Sequence, residues 1–160
     1  MEVEYYLYHF AHLHTAKIKG VAAPHKAVLL LAVMQLISQE RIYSPEIVLC
    51  DELENAFKTI WNQRVSANSP FSCDICKPYF HLQHEPFWRL IGHDENYEEV
   101  AECLGLYANN QKHVAAKYTK KSLREQYRCA KIDNDLFEMI QNESKRKQLE
   151  AVLITKYLMF

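Results

Sequence analysis

Between Ala27 and Ile37 the chain reads Ala-Val-Leu-Leu-Leu-Ala-Val-Met-Gln-Leu-Ile, eleven residues with a single polar side chain. A helix apolar on every side has to be enclosed on every side, so the rest of the chain must wrap around it. The run is far shorter than the roughly 20 apolar residues that cross a bilayer, and no membrane association is expected. Pro24 suits the first turn of such a helix, because its φ is already set and its missing N–H would be unpaired there. His25 and Lys26 follow at once, where the helix dipole disfavours positive charge by about 0.3–1 kcal/mol. With Lys17 and Lys19 just upstream, the free N–H groups of the first turn and these basic side chains can form a phosphate site. A solvated lysine and a histidine at an ordinary helix start account for the same residues equally well.

Enough chain surrounds this helix to bury it. The sequence has 160 residues, 49% of them hydrophobic, with three glycines and five prolines, which fits one globular domain over 1–160. The formal net charge of −1 means no global basic field, so any DNA-binding face must be a local patch. Five cysteines without tight framework spacing are expected to be reduced thiols in a cytoplasmic protein. Met-Glu-Val-Glu-Tyr-Tyr at the N-terminus lacks the basic and apolar regions of a signal peptide.

Taken in order, residues 3–17 show a helical stripe of Tyr6, Phe10, Leu13 and Lys17, and 18–25 reads as a loop. Asp51 and Glu52 open a third helical segment with its stripe at Leu53, Ala56, Phe57, Ile60 and Trp61. Pro78–Gln83 and Phe87–Ile91 alternate as a β-hairpin, with Phe80 and Leu82 packed and Tyr79, His81 and Gln83 presented. A short helix is expected near 97–104 in an otherwise irregular excursion. Lys120, Lys121, Arg124 and Arg128 share one helix, more readily a solvated face than a DNA clamp. Asp133 caps a further helix over Leu136–Ile140, and Leu149, Val152, Leu153 and Tyr157 stripe the last. The expected architecture is mainly α with a small β-hairpin, in an arrangement open to a winged-helix-like form.

Gly20-Val-Ala-Ala-Pro-His-Lys26 before an aliphatic helix, then Pro78-Tyr-Phe-His-Leu-Gln83 and Phe87-Trp-Arg-Leu90, resembles the sulfur-binding domain. That family reads phosphorothioate-modified DNA and is often joined to an HNH nuclease in type IV, modification-dependent restriction enzymes. The resemblance implies a duplex DNA partner, no cofactor and no metal, and no catalysis within this chain, with any nuclease fused or acting in trans. It assigns His25 and Lys26, backed by Lys17 and Lys19, to the phosphate, and His25, Lys26, Pro78, Tyr79 and His81 to the sulfur pocket. An aromatic residue of the family before the proline is replaced here by Lys77. Asn68, Asn109, Asn110 and Gln111 are loop candidates for reading bases, on residue type alone.

Other constellations are weaker. Cys73-Asp-Ile-Cys76 with His81 and His84 has half of a zinc pattern, but its remaining spacing is short. Asp133 or Asp135 with Glu143-Ser144-Lys145 faintly echoes a metal-dependent nuclease and reads as a chance match. A regulatory protein-interaction module on the same scaffold is the main alternative, and Lys77 is the residue that favours it.

Overall fold

The computed structural model describes residues 2–93 and 119–158. The fold is mainly α with small antiparallel β elements. Helix α1 (Val3–Ala11) leads to a hairpin of β1 (Lys17–Ile18) and β2 (Val21–Ala22), and then to α2 (His25–Ser38). After β3 (Glu46–Ile47) come α3 (Asp51–Arg64), α4 (Cys76–His81), a 3-10 turn (Leu82–His84) and β4 (Trp88–Gly92). The chain then runs through α5 (Lys120–Gln126), β5 (Tyr127–Ile132), α6 (Asn134–Gln141) and α7 (Glu143–Leu153), which ends in a wide turn over Ile154–Leu158.

Helix α2 is the axis that its composition predicts. From Lys26 to Ile37 only Gln35 is exposed, and α3, α4, α6 and α7 pack around it. The α3 stripe is buried as its spacing requires, with Leu53 and Phe57 fully enclosed. Two tyrosines pin the shell. Tyr157 Oη accepts from the Leu13 N–H at 2.9 Å and donates to the Phe10 carbonyl at 2.6 Å, holding α7 to the end of α1. Tyr6 donates to Asp133 at 2.7 Å, so that carboxylate ties α1 to the start of α6 and does not cap the helix. No described helix is long and apolar enough to cross a membrane.

The β elements depart from expectation, and the reasons are local. No hairpin spans Pro78–Ile91. The Asp74 side chain accepts from the Cys76 N–H at 2.9 Å, a turn that opens a helix, and Pro78 sits in that helix's first turn. Strand β4 pairs instead with β5, forty residues on, and β5 also pairs with β3 to complete a three-stranded sheet in the order β3-β5-β4. The helix expected through Arg128 therefore stops at Gln126. The first helix stops at Ala11, and the loop expected over 18–25 holds the true hairpin. Its turn is Lys19-Gly20, with φ of 52° and 79°, the left-handed pair of a two-residue primed turn. The short helix expected near 97–104 lies outside the described residues.

Candidate phosphate site at the mouth of α2

Helix α2 begins directly after the hairpin, with Pro24 at its N-cap, whose side chain makes no capping hydrogen bond. The Ala23 N–H donates to the Ala16 carbonyl at 2.8 Å, which closes the hairpin against this mouth. Lys17 on β1 and Lys19 at the hairpin turn are both exposed. Helix α4 packs on α2 and brings its own basic residues to the same end. The charges of Lys26 and Lys77 both reach His81, and Lys77 also reaches His25.

The turn from expected strand to observed helix decides which α4 residues face out. Residues 77 and 81 are four apart and 78 and 81 three apart, so Lys77, Pro78 and His81 are helical neighbours. Tyr79 is two residues from each of Lys77 and His81 and points the other way. It is 2% exposed, donates to the Ile47 carbonyl at 2.7 Å, and its own carbonyl accepts from Trp88 Nε1 at 3.0 Å. The assignment of Tyr79 to a presented face is therefore corrected: it is a core residue joining α4 to β3 and β4. Pro78 is buried as well, beneath the α4 surface, so its ring is no raised wall. Lys77 is exposed and His81 half-buried, with His81 stacked on the exposed His84 at 5.6 Å between ring centroids.

Lys26 is not presented to solvent either. Its ammonium is buried and lies 2.9 Å from Oε2 of Glu85, a carboxylate that is itself 3% exposed. Glu85 Oε2 also accepts from the His14 N–H at 2.9 Å, and His14 Nδ1 lies 3.2 Å from both carboxylate oxygens. Assigning Lys26 to direct phosphate contact is corrected on this ground. The cation is neutralised inside the protein, where leaving it unpaired would be prohibitive. Sequence reasoning missed Glu85, which joins α2 to the segments after α1 and after the 3-10 turn.

His25 has a different task from the one its position implied. Its Nε2 donates to the Ser72 carbonyl at 2.7 Å, and its ring lies 4.8 Å from Trp61 and 5.8 Å from Phe71. Desolvation lowers its pKa despite the Ser72 bond and Asp74, and Lys77 lowers it further. A neutral imidazole that donates from Nε2 offers only an acceptor at Nδ1, so it cannot hold a phosphate without taking up a proton. His25 fastens the loop after α3 to α2. His81 is lowered too, first by burial and then by His84, Lys26 and Lys77.

These two histidines fix a pH dependence. Each binds its proton less readily in the folded protein than in the unfolded chain, where the pKa is about 6.5. The stability they secure is complete above that value and is lost as pH falls through it, because the unfolded chain takes up protons first. The urea midpoint is expected to fall between about pH 7 and pH 5, and to fall less in His25→Gln/His81→Gln. An equal fall in the variant would assign the acid sensitivity to other groups.

Exposed Asn68 lies on the loop that Ser72 ties to His25, while Asn109, Asn110 and Gln111 lie outside the described residues. Three basic side chains of α5 and β5 have internal partners. Lys120 meets Glu54 at 2.7 Å, Arg124 donates to the Leu49 carbonyl at 2.6 Å, and Arg128 meets Glu46 at 3.0 Å. Among the described residues no carboxylate lies within ion-pair distance of Lys17, Lys19 or Lys77. The thiols of Cys73 and Cys76 are both raised by burial, Cys76 to about 11 with Asp74 adding to the effect, which is the reverse of an activated nucleophile. No protein-family model matches the chain, and no curated protein matches it significantly.

Proposed function

We propose that this chain binds double-stranded DNA carrying a phosphorothioate, at the mouth of α2, without catalysing a reaction on it. The observation that carries the reading is three exposed lysines without a described carboxylate partner around the start of α2: Lys17 and Lys19 on the hairpin that leads into it, and Lys77 on α4, whose charge reaches His25 in the first turn of α2. Such a group attracts a backbone phosphate whether or not it is modified. The resemblance of the Pro24-His25-Lys26 and Pro78–Gln83 blocks to the sulfur-binding domain points to the modified form. A phosphorothioate keeps the single negative charge, but its sulfur is larger, softer and less hydrated than oxygen. Recognising it takes a weakly polar surface beside the cations. The aliphatic stem of Lys77 and the neutral ring of His81 supply the rim, with Pro78 as the floor. Burying a sulfur-sized patch contributes on the order of 1 kcal/mol, and desolvating an oxygen there costs about 1–3 kcal/mol more. Together these give roughly a hundredfold preference for the modified backbone.

The test is fluorescence anisotropy on two identical short duplexes, one with a single stereodefined phosphorothioate, over a small panel of flanking sequences. The modified duplex is expected to bind about a hundredfold more tightly in one diastereomer. His81→Ala should lower that ratio about tenfold and leave unmodified binding almost unchanged, because the ring it removes is uncharged. Equal binding of both duplexes across the panel would overturn the reading.

A further inference from the structure

We propose a second phosphate-binding cleft, between β4 and the start of α6, which on the reading above takes another backbone phosphate of the same duplex. Arg89 of β4 and Lys131 of β5 are register partners in an antiparallel pair, so their side chains stand opposite one another on the same face. Like charges in that position repel, and among the described residues neither has a carboxylate within ion-pair distance. Two of the nearby carboxylates are engaged by other groups. Glu46 is the other register partner of Lys131, but it bonds Arg128 at 3.0 Å. Asp133 lines the cleft and accepts from Tyr6 at 2.7 Å. Asp135, in the first turn of α6, adds negative charge at the helix end. An anion is therefore drawn to the Arg89–Lys131 side and away from the helix terminus. The cleft there has a volume of about 290 Å³, with Asn134 also in its lining.

An anion between the two cations relieves their repulsion, and a phosphodiester offers two oxygens for a guanidinium and an ammonium to share. The position suits a duplex already held at the mouth of α2. Arg89 is four residues from Glu85, the partner of Lys26, so the two backbones are at most about 14 Å apart. That lies within the run of a few phosphates along one strand.

The test is the double variant Arg89→Gln/Lys131→Gln on modified and unmodified duplexes across a salt series. Losing two phosphate contacts should flatten the salt slope by about two units and weaken both duplexes roughly thirtyfold near physiological salt. The preference for the modified duplex should not change, because this cleft does not touch the sulfur. The melting temperature should hold or rise, since the variant removes a repulsion. Unchanged DNA affinity, or a lower melting temperature, would overturn the cleft. If the wild-type protein binds neither duplex, the DNA reading has failed and inorganic phosphate decides the cleft alone. A shift of the Arg89 Nε–H resonance on phosphate titration, absent in Lys131→Gln, would sustain it, and no shift would overturn it.

Discussion

Glu85→Leu is expected to destabilise the domain by about 3–5 kcal/mol, a large part of the 5–15 kcal/mol that holds a typical domain folded. The cause is the ammonium it leaves behind. Lys26 sits at the entrance to the buried axis with its Nζ 2.9 Å from Glu85, and both side chains are almost wholly enclosed. Without the carboxylate the lysine must shed its proton or drag its helix end toward water, and the His14 N–H loses its acceptor as well. Lys26→Met should cost a similar amount by the mirrored argument. The double variant Lys26→Met/Glu85→Leu should recover most of the loss, because an apolar pair of like volume needs no partner. Urea unfolding of the four proteins measures this as a coupling energy. Single losses below about 1 kcal/mol would mean that the pair is solvated. The double variant also tests the correction made to Lys26. If the lysine props the mouth without touching DNA, the folded double variant binds both duplexes as the wild type does.

This pair shows what the sequence disclosed and what it hid. The α2 axis was legible because an apolar circumference admits one solution, and the α3 stripe because its period is unambiguous over two turns. Lys26 also carried a signal. A lysine at the entry to a helix enclosed on all sides needs a carboxylate, but 20 Asp and Glu residues compete for that place. Glu85 stands 59 residues away between His84 and Pro86, in a context with no period. Tyr79 failed for a different reason. Over six residues a strand and a helix start share the same apolar density, and the choice between periods 2.0 and 3.6 turns one side chain from surface to core. The Asp74 turn and Pro78 were the local signs of a helix. The three-stranded sheet was hidden because β3 is two residues long and its partner β5 follows a helix without a break. Lys77 and His81 became neighbours of the α2 mouth only through that α4 helix.

Neutralising the three lysines around the mouth should have the largest effect on binding. Lys17→Gln/Lys19→Gln/Lys77→Gln is expected to weaken duplex DNA on the order of a hundredfold near 0.15 M salt, with the salt slope flatter by about 2.7 units. Each lysine that meets a phosphate releases about 0.9 of a counterion, and three such contacts multiply in affinity. Geometry singles out these three. Lys19 occupies a left-handed turn position that asparagine or glycine adopts more readily, so its charge is held at the hairpin tip at some conformational cost. Lys77 extends from the exposed side of α4, and Lys17 from β1, opposite the Ala22 end of the strand that leads back to α2. The control is Lys145→Gln/Lys147→Gln/Lys156→Gln, which removes the same charge from exposed positions on α7 and the turn after it. The control should bind almost as the wild type does, because charges more than a Debye length from the duplex, about 8 Å at this salt, are largely screened. Equal losses in the two triple variants would reduce the binding to net charge and remove the mouth of α2 from it. A loss confined to the first triple variant, with the part of the sulfur preference that rests on His81 and Pro78 retained and the part from the Lys77 stem lost, would divide the work as the geometry does: the lysine charges hold the phosphate, and the rim of α4 tells sulfur from oxygen.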